Sequence, residues 1–483
     1  MTIQEALQKT ERDNYSAVCC DPWRLQYHIM PPVGWMNDPN GLCQLHGIYH
    51  IFYQYRPIQD KRKIVCWGHY TTRDFVTFTR RPIAVYPDSA MDSDGAYSGS
   101  AIVTGDVAHF FYTGNILFDG TYDYVYAGRG QYVNHFSTTD GETFTAKENL
   151  LRNCDYPSDM SCHVRDPQIT EHQGAYTMVL GGRTRQDVGC ALFYTSADLE
   201  KWEYAGRAVT RQPFGYMWES PNLVKMGDKT LLLVCPQGVE KQGYRFENVH
   251  QSGYFVLPPE MTGKVVLDSF TELDHGFDFY SPQVFTDEKG RTILIGWMGM
   301  PDDPYENPTK ASGWENALTL PRQLWWEKDR LFQYPIEETK ALRRGCQTYE
   351  LKAGGSIDLG TRVFEAQIEV TGEEFTLTLR KDAELRYADG LLTLRLGESG
   401  YGRKERHAEI PAIHKLSIFS DNSCLEVFVN GGEYVLTTRL YDHRADTRLH
   451  MDVPAKVEAY TLAGYVIRDE SDSGEGKSDL KFG

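Results

Sequence analysis

Between about residues 21 and 335, apolar positions come in short runs or in strict alternation. Gly, Pro, Asn and Asp bound them, and almost no 3.6-residue periodicity is visible. That pattern predicts β-strands. Residues 1–20 read as a short helical lead-in. Five strongly β-prone runs stand out, at 48–53, 107–112, 175–180, 230–234 and 292–297, and each follows a segment of one shape: polar, then Pro or Gly, then polar, then apolar. The segments are Asp38-Pro39-Asn40-Gly41-Leu42, Ser98-Gly99-Ser100-Ala101-Ile102, Asp166-Pro167-Gln168-Ile169, Glu219-Ser220-Pro221-Asn222-Leu223 and Ser281-Pro282-Gln283-Val284. A second echo, Thr71-Thr72-Arg73-Asp74, Ser137-Thr138-Thr139-Asp140 and Thr195-Ser196-Ala197-Asp198, ends a strand and opens a hairpin in three of the units.

Five units roughly 60 residues apart, each with several strands, predict an all-β, five-bladed β-propeller over residues 21–335. A β-sandwich array is the competing arrangement, but it gives no reason for polar residues at matching repeat positions. In a propeller the innermost strands converge on the axis, so the five polar segments meet around one pocket. Residues 336–345 read as a linker with a helical turn at its centre. Residues 346–468 alternate as in Phe375-Thr376-Leu377-Thr378-Leu379 and Leu425-Glu426-Val427-Phe428-Val429, with turn signals at Asn422 and Gly431-Gly432, and predict a C-terminal β-sandwich. Residues 469–483, rich in Asp, Ser, Gly and Glu, read as a disordered tail. Gly474-Glu475-Gly476-Lys477-Ser478 imitates the end of a phosphate loop, but Ser471 occupies its first glycine position and no strand leads into it.

Charge narrows the partners. A formal net charge of −17 argues against nucleic acid and anionic membrane, and not against a neutral sugar. Aromatics at 13%, with 30 Tyr and 9 Trp, suit sheets and sugar-facing surfaces alike. No apolar run reaches the roughly 18 residues of a membrane helix, and residues 1–15 lack the apolar core of a signal peptide. Ten scattered cysteines without a C-x-x-C pair argue against zinc and for reduced thiols, hence for a cytoplasmic protein without metal or cofactor. The C-terminal unit is a candidate surface for a homo-oligomer.

Three of the converging segments carry an acid: Asp38, Asp166 and Glu219. Asp38 lies between Asn37 and Asn40, donors that are expected to keep it ionised as a nucleophile needs. Glu219 follows Met217 and Trp218, an apolar setting expected to raise its pKa as a general acid needs. Asp166 adjoins Arg165 and is expected to stay charged. Strand-end carboxylates that only cap backbone donors are the structural alternative. Two carboxylates of opposed pKa, about 5–5.5 Å apart, are what retaining glycoside cleavage requires.

The stretch Trp35-Met36-Asn37-Asp38-Pro39-Asn40-Gly41, with Tyr53-Gln54-Tyr55, Trp67-Gly68-His69, Tyr97-Ser98-Gly99-Ser100, Arg165-Asp166-Pro167, Trp218-Glu219-Ser220-Pro221, Asp278-Phe279-Tyr280, Gly296-Trp297-Met298 and Leu318-Thr319-Leu320-Pro321-Arg322, resembles the β-fructosidases of glycoside hydrolase family 32. This is the invertase, sucrose-6-phosphate hydrolase and fructanase group, and the likeness runs from about Asp21 to Tyr465. The resemblance implies a propeller joined to a β-sandwich, and retaining hydrolysis of terminal β-D-fructofuranosyl residues. It implies Asp38 as nucleophile, Glu219 as acid/base, and Asp166 as transition-state stabiliser holding the fructosyl 3- and 4-hydroxyls with Arg165. Asn37, Gln54, Ser98, Tyr280 and Trp297 fall where the family lines its fructose pocket, and Trp67 and Tyr97 join them as substrate-binding positions.

Three departures mark this chain. Ser220 stands where the family usually has Cys after the acid/base, and is expected to move the pKa of Glu219. Tyr97 replaces the usual Phe. The stretch Asp60-Lys61-Arg62-Lys63-Ile64 replaces an aromatic and an amide, and Arg62 becomes a candidate for recognising an anionic aglycone such as a 6-phosphate, against a solvated basic loop as the plain alternative. A fructosyltransferase, a non-catalytic fructan-binding protein and an inverting arabinan-type enzyme remain as other readings.

Overall fold

The structure, a computed structural model, describes residues 2–58, 64–172, 174–259, 262–443 and 446–470. The chain starts with a helix, Ile3–Val18, closed at its N-terminus by a capping box. Thr2 Oγ1 accepts from Glu5 N, while Glu5 Oε2 accepts from Thr2 N. Buried Leu7 fixes it against the first blade. Among the described residues no helix is long and apolar enough to cross a membrane.

Five antiparallel meanders follow. Their innermost strands are Gly34–Leu45, Ala96–Thr104, Met160–His172, Met217–Met226 and Tyr280–Thr286, and they belong to blades I to V, sheets of six, four, five, four and five strands. Each innermost strand lies against the next, and that of blade V lies against that of blade I, so the ring is closed. At the hairpins of blades I to III the echoed Asp does one job three times. Asp74, Asp140 and Asp198 each accept the backbone N–H groups two and three residues on, at 2.7–2.9 Å.

Beyond blade V a 3-10 turn, Glu337–Leu342, leads into two six-stranded antiparallel sheets packed face to face. The architecture is thus a five-bladed β-propeller followed by a β-sandwich. One expectation is corrected here. Val466–Asp469 belongs to neither tail nor sandwich: it returns to pair in parallel with Thr77–Val85 of blade I, and Asp469 accepts from Arg80 Nε at 2.6 Å. The alternating strand 425–429 is buried on both faces. Leu425, Val427 and Val429 enter the sandwich core, while Glu426 and Phe428 are buried against the propeller. Residues 471–483, including the phosphate-loop imitation, lie outside the described residues.

The propeller and the sandwich meet through buried charge. Glu426 Oε2 accepts from Arg322 Nε (3.1 Å) and Nη2 (2.5 Å), and Oε1 accepts from Leu320 N (2.8 Å) and lies 3.0 Å from His28 Nε2. His28 Nδ1 lies 2.9 Å from Asp421, and all four side chains are buried. Burial pushes His28 down, but Cys424, Asp421 and Glu426 around it outweigh that and hold it well above the ordinary histidine range. Removing one member of such a network leaves the others charged and unpaired. Glu426→Ala is therefore expected to cost about 3–5 kcal/mol, read as a fall in the urea unfolding midpoint. A loss below about 1 kcal/mol, the worth of an exposed pair, would show that the network contributes little.

Candidate active site

The five innermost strands share a defect. In each, two residues oppose one on the neighbouring strand: Asn37 and Asp38 oppose Gln54, Tyr97 and Ser98 oppose Thr113, Asp166 and Pro167 oppose Leu180, Ser220 and Pro221 oppose Val234, and Ser281 and Pro282 oppose Gly296. These are β-bulges, which re-aim side chains at the price of a ladder bond. In blades III to V the first bulged residue takes a left-handed φ: +63° at Asp166, +46° at Ser220 and +47° at Ser281. Each immediately precedes a proline, and non-glycine residues reach this region only under strain. Blade II needs a glycine after its bulge, because a Cβ on Gly99 would lie 2.0 Å from Phe111 O.

Measured against the bulges, the three acids are not at matching positions, as the repeat alone suggested. Asp38 is the second bulged residue of its strand, Asp166 the first, and Glu219 the residue just before. The stagger gives each acid a different set of neighbours on the common floor.

Asp38 sits at the end of a relay. Trp35 Nε1 donates to Asn37 Oδ1 (3.0 Å), and Asn37 Nδ2 donates to Gln54 Oε1 (3.0 Å) and to Asp38 Oδ1 (3.1 Å). Gln54 Nε2 donates to Ser98 Oγ, which donates to Asp38 Oδ2 at 2.5 Å. Burial nevertheless wins. It raises Asp38 to about 6, with Ser98, Asn37 and Ser281 pulling the other way and the Glu219 carboxylate adding to the rise. The expectation of a low pKa is thus overturned, and so is the part given to Asn40. That side chain is fully buried and turned from the pocket, where its amide oxygen is placed to accept from Gln54 N at 3.1 Å.

Glu219 is not in the apolar setting that Met217 and Trp218 suggested. Trp218 points into the core between blades III and IV and donates to Phe214 O. The carboxylate itself accepts from Arg165 Nε (3.0 Å) and Nη2 (2.5 Å), from Gln237 Nε2 (2.7 Å) and from the Tyr280 hydroxyl (2.7 Å). Arg165 therefore gives its fork to Glu219 and not to its neighbour Asp166. Asp166 accepts from Ser220 N at 2.9 Å, while its own N–H is fixed by Thr113 Oγ1 at 2.9 Å. Burial raises Asp166, opposed by Arg165 and reinforced by Glu219 and Asp38, contrary to the expectation of an ordinary ionised carboxylate. Ser220 also acts elsewhere than expected. Its hydroxyl bonds that of Ser281, which in turn bonds Asp38.

The aromatic wall is Trp35, Trp297 and Tyr280, with Trp297 edge-on to the other two at 5.9 and 6.2 Å. Trp67, expected to bind substrate, does not line the pocket. It is fully buried between blades I and II, with Nε1 donating to Tyr97 O at 3.0 Å. Tyr97 is half-buried, its ring edge lying over Gly95. Arg62 lies outside the described residues. Gln131 and Gln237 were missed, because nothing local marks a polar residue on a second or third strand as facing the axis; His163, on the innermost strand of blade III, precedes the polar segment at Asp166 and was missed with them. Ser281 was visible in the repeat but carries no acid. A cavity of about 700 Å³ at the other end of the axis is lined by Leu42–Gly47 and its counterparts in the other blades, and by none of the three acids.

Comparison with known proteins is unambiguous. Residues 28–335 match the glycosyl hydrolases family 32 N-terminal domain and residues 338–462 the glycosyl hydrolases family 32 C terminal. Sucrose-6-phosphate hydrolase of Bacillus subtilis is 38% identical over 442 residues, 87% of this chain and 89% of the relative. Raffinose invertase of Escherichia coli is 34% identical over 467 residues, 92% and 94% of the two chains. Among solved structures, sucrose-6-phosphate hydrolase from Lactobacillus gasseri superposes with a TM-score of 0.87 at 26% identity, covering 95% of this chain and 97% of that one. A β-fructofuranosidase mutant from Bombyx mori, in complex with sucrose, gives 0.83 at 28% identity, covering 96% and 98%.

The raised Asp38 has a consequence for stability. An unfolded aspartate releases its proton near 3.9, whereas folded Asp38 holds it to about 6. Native stability from this group is therefore present below the unfolded value and lost as pH rises through the folded one. Asp38→Asn escapes that loss. Its melting temperature relative to wild type is expected to climb between about pH 4 and 6 and then level off, a gain on the order of 1–3 kcal/mol. A pH-independent difference would refute the burial account.

Proposed function

This chain belongs to glycosyl hydrolase family 32, and on that premise we propose that Asp38, Glu219 and Asp166 are its catalytic acids. The protein is a glycoside hydrolase acting on sucrose-type substrates. The observation that carries the assignment of roles is the contrast between two carboxylates on one pocket floor. Asp38 is held by amide and hydroxyl donors that leave it nucleophilic once ionised, and Glu219 is held by a guanidinium, an amide and a phenol.

In the first half-reaction Asp38 attacks the anomeric carbon of the β-fructofuranosyl unit, while Glu219 passes a proton to the departing oxygen. The products are a covalent fructosyl-enzyme and the free aglycone. In the second half-reaction Glu219 takes a proton from water as it attacks, releasing fructose with retained configuration and Asp38 restored. Arg165, Gln237 and Tyr280 hold the Glu219 carboxylate in one orientation for both steps. Asp166, with Arg165, holds the sugar hydroxyls and offsets the charge that develops on the ring. Asn37, Gln54 and Ser98 position Asp38, and Trp35, Trp297 and Tyr280 wall the ring. Ten free cysteines, with Cys20, Cys154 and Cys346 exposed, support work in a reducing compartment such as the cytoplasm.

The test is release of fructose from sucrose, sucrose 6-phosphate, kestose, inulin and levan, with the configuration of the first product followed by NMR. Asp38→Asn is expected to abolish turnover, and Glu219→Gln to lower kcat by about 100- to 10,000-fold. The acid limb of kcat/KM should fall at about pH 6, the value set by buried Asp38. Full activity in Asp38→Asn, or inverted product, would overturn the assignment.

A further inference from the structure

Arg165 stands between two acids and gives its fork to one. Asp166 is its sequence neighbour and Glu219 belongs to the next blade, yet Nε and Nη2 both donate to Glu219 Oε1, at 3.0 and 2.5 Å. Both carboxylates attract the guanidinium, so attraction alone does not fix the direction of the fork. What fixes it lies at the far edge of the same group. Nη1 donates to His163 Nδ1 at 2.7 Å and, at the longer distance of 3.4 Å, to Gln131 Oε1. A guanidinium is planar and rigid, so holding two of its edges holds its plane.

His163 can accept from Arg165 only as a neutral ring with its bare nitrogen turned that way. Burial first, then the charges of Arg165, Arg129 and Arg183, push it down to about 2, against the Tyr124 carbonyl, which pulls the other way. At neutral and mildly acidic pH the ring is therefore an acceptor at Nδ1, and its proton sits on Nε2, toward Tyr124. The imidazole is also set in place independently of the acids. The residue before it, Cys162, donates its N–H to Val125 O at 2.8 Å, which docks the 118–128 loop of blade II onto this strand. Within that loop the Tyr124 hydroxyl bonds the carbonyls of Phe118 and Gly120 at 3.4 Å, and Asp123 Oδ1 accepts from Val125 N and Tyr126 N at 2.8 and 2.7 Å.

We propose that His163 is the positioning residue for Arg165: by accepting from Nη1 it turns the fork toward Glu219 and keeps it off Asp166, and so sets the orientation of the acid/base. The inference rests on the role given above to Glu219. His163 transfers no proton; it acts through Arg165. The same contact keeps the two acids different. Asp166 is faced by Arg165, Glu219, Asp38 and the Ser220 N–H, and burial leaves it raised. An Arg165 released from His163 would turn to Asp166 and lower it. One neutral ring thereby assigns one guanidinium to one of two carboxylates.

The experiment measures kcat and KM for sucrose in wild type, His163→Leu, His163→Gln and His163→Asn. Asn offers its Oδ1 where Nδ1 stood, whereas Gln reaches the place of Nε2 and Leu accepts nothing. His163→Leu and His163→Gln are expected to lower kcat and kcat/KM together by ~10- to 100-fold, with KM little changed. His163→Asn is expected to recover most of that loss. A second readout needs no turnover. Folded Asp166 holds its proton above the unfolded value near 3.9, so its contribution to stability is lost as pH rises through the folded value. The melting-temperature gain of Asp166→Asn over its parent should therefore climb with pH in wild type, and climb less in the His163→Leu background, where Arg165 turns to Asp166. Wild-type kcat in folded His163→Leu overturns the proposal, as does an equal climb in both backgrounds or a His163→Asn no better than His163→Leu. Full activity in Glu219→Gln would instead overturn the role given to the acid/base, and the melting series would still judge His163. If His163→Leu does not fold, His163→Gln takes its place in both measurements.

Discussion

A regular β-strand cannot turn two consecutive side chains to the same side, and the site depends on doing so several times. Arg165 and Asp166, Glu219 and Ser220, and Tyr280 and Ser281 are sequence neighbours that all reach the same network. Asn37 and Asp38 do the same in blade I. The bulge in each innermost strand makes this possible, because one extra residue shifts the pleat by one and keeps both neighbours on the axial side. Three of the five bulges hold a non-glycine residue at positive φ before a proline. Such strain persists only where surrounding structure over-determines it. Here the ring supplies that: Asp166 N is tied to blade II, Ser220 N to blade III, and the Ser220 hydroxyl to blade V.

Closing the ring also gathers negative charge in a place that resists it. Burial raises both Asp38 and Asp166, and the Glu219 carboxylate raises both further. Among the described residues the fold answers with a single guanidinium close to the floor, Arg165, and with neutral donors otherwise. Because Arg165 leans on Glu219, Asp166 is left with a backbone donor and Asp38 with hydroxyls and amides. One arginine among three acids is what differentiates them. The same economy is absent at the joint between the two units, where Arg322, Arg403 and Arg439 are buried with Glu426, Asp274 and Asp278 in matched sets. There the charges serve to seat the sandwich on blades IV and V, and full pairing is what keeps them tolerable.

Much of the fold was legible in the chain. Period-two alternation, the five polar segments and the Asp-capped hairpins are local patterns, and local patterns determine strands, turns and their number. The acids were legible too, since each lies within two residues of a proline that marks a strand interruption. Environment was not legible. Asn40 and Trp67 are close in sequence to pocket residues and face away from the pocket, while Gln131, Gln237 and His163 have no sequence mark and face toward it. The run Leu425-Glu426-Val427 looks like a half-wet strand and is buried on both sides, because the second face belongs to the propeller and no local rule can know it.

By itself, then, the sequence determined which residues end strands, how many repeat units there are, and which three carboxylates converge. These follow from backbone sterics and from hydrophobic periodicity, both of which act over a few residues. The tertiary structure decided the rest. It set the stagger of the acids, the choice of Glu219 over Asp166 as the partner of Arg165, and the burial that lifts Asp38. A pKa or an ion pair depends on which groups from other blades come within a few ångströms, and only the closed ring brings them there.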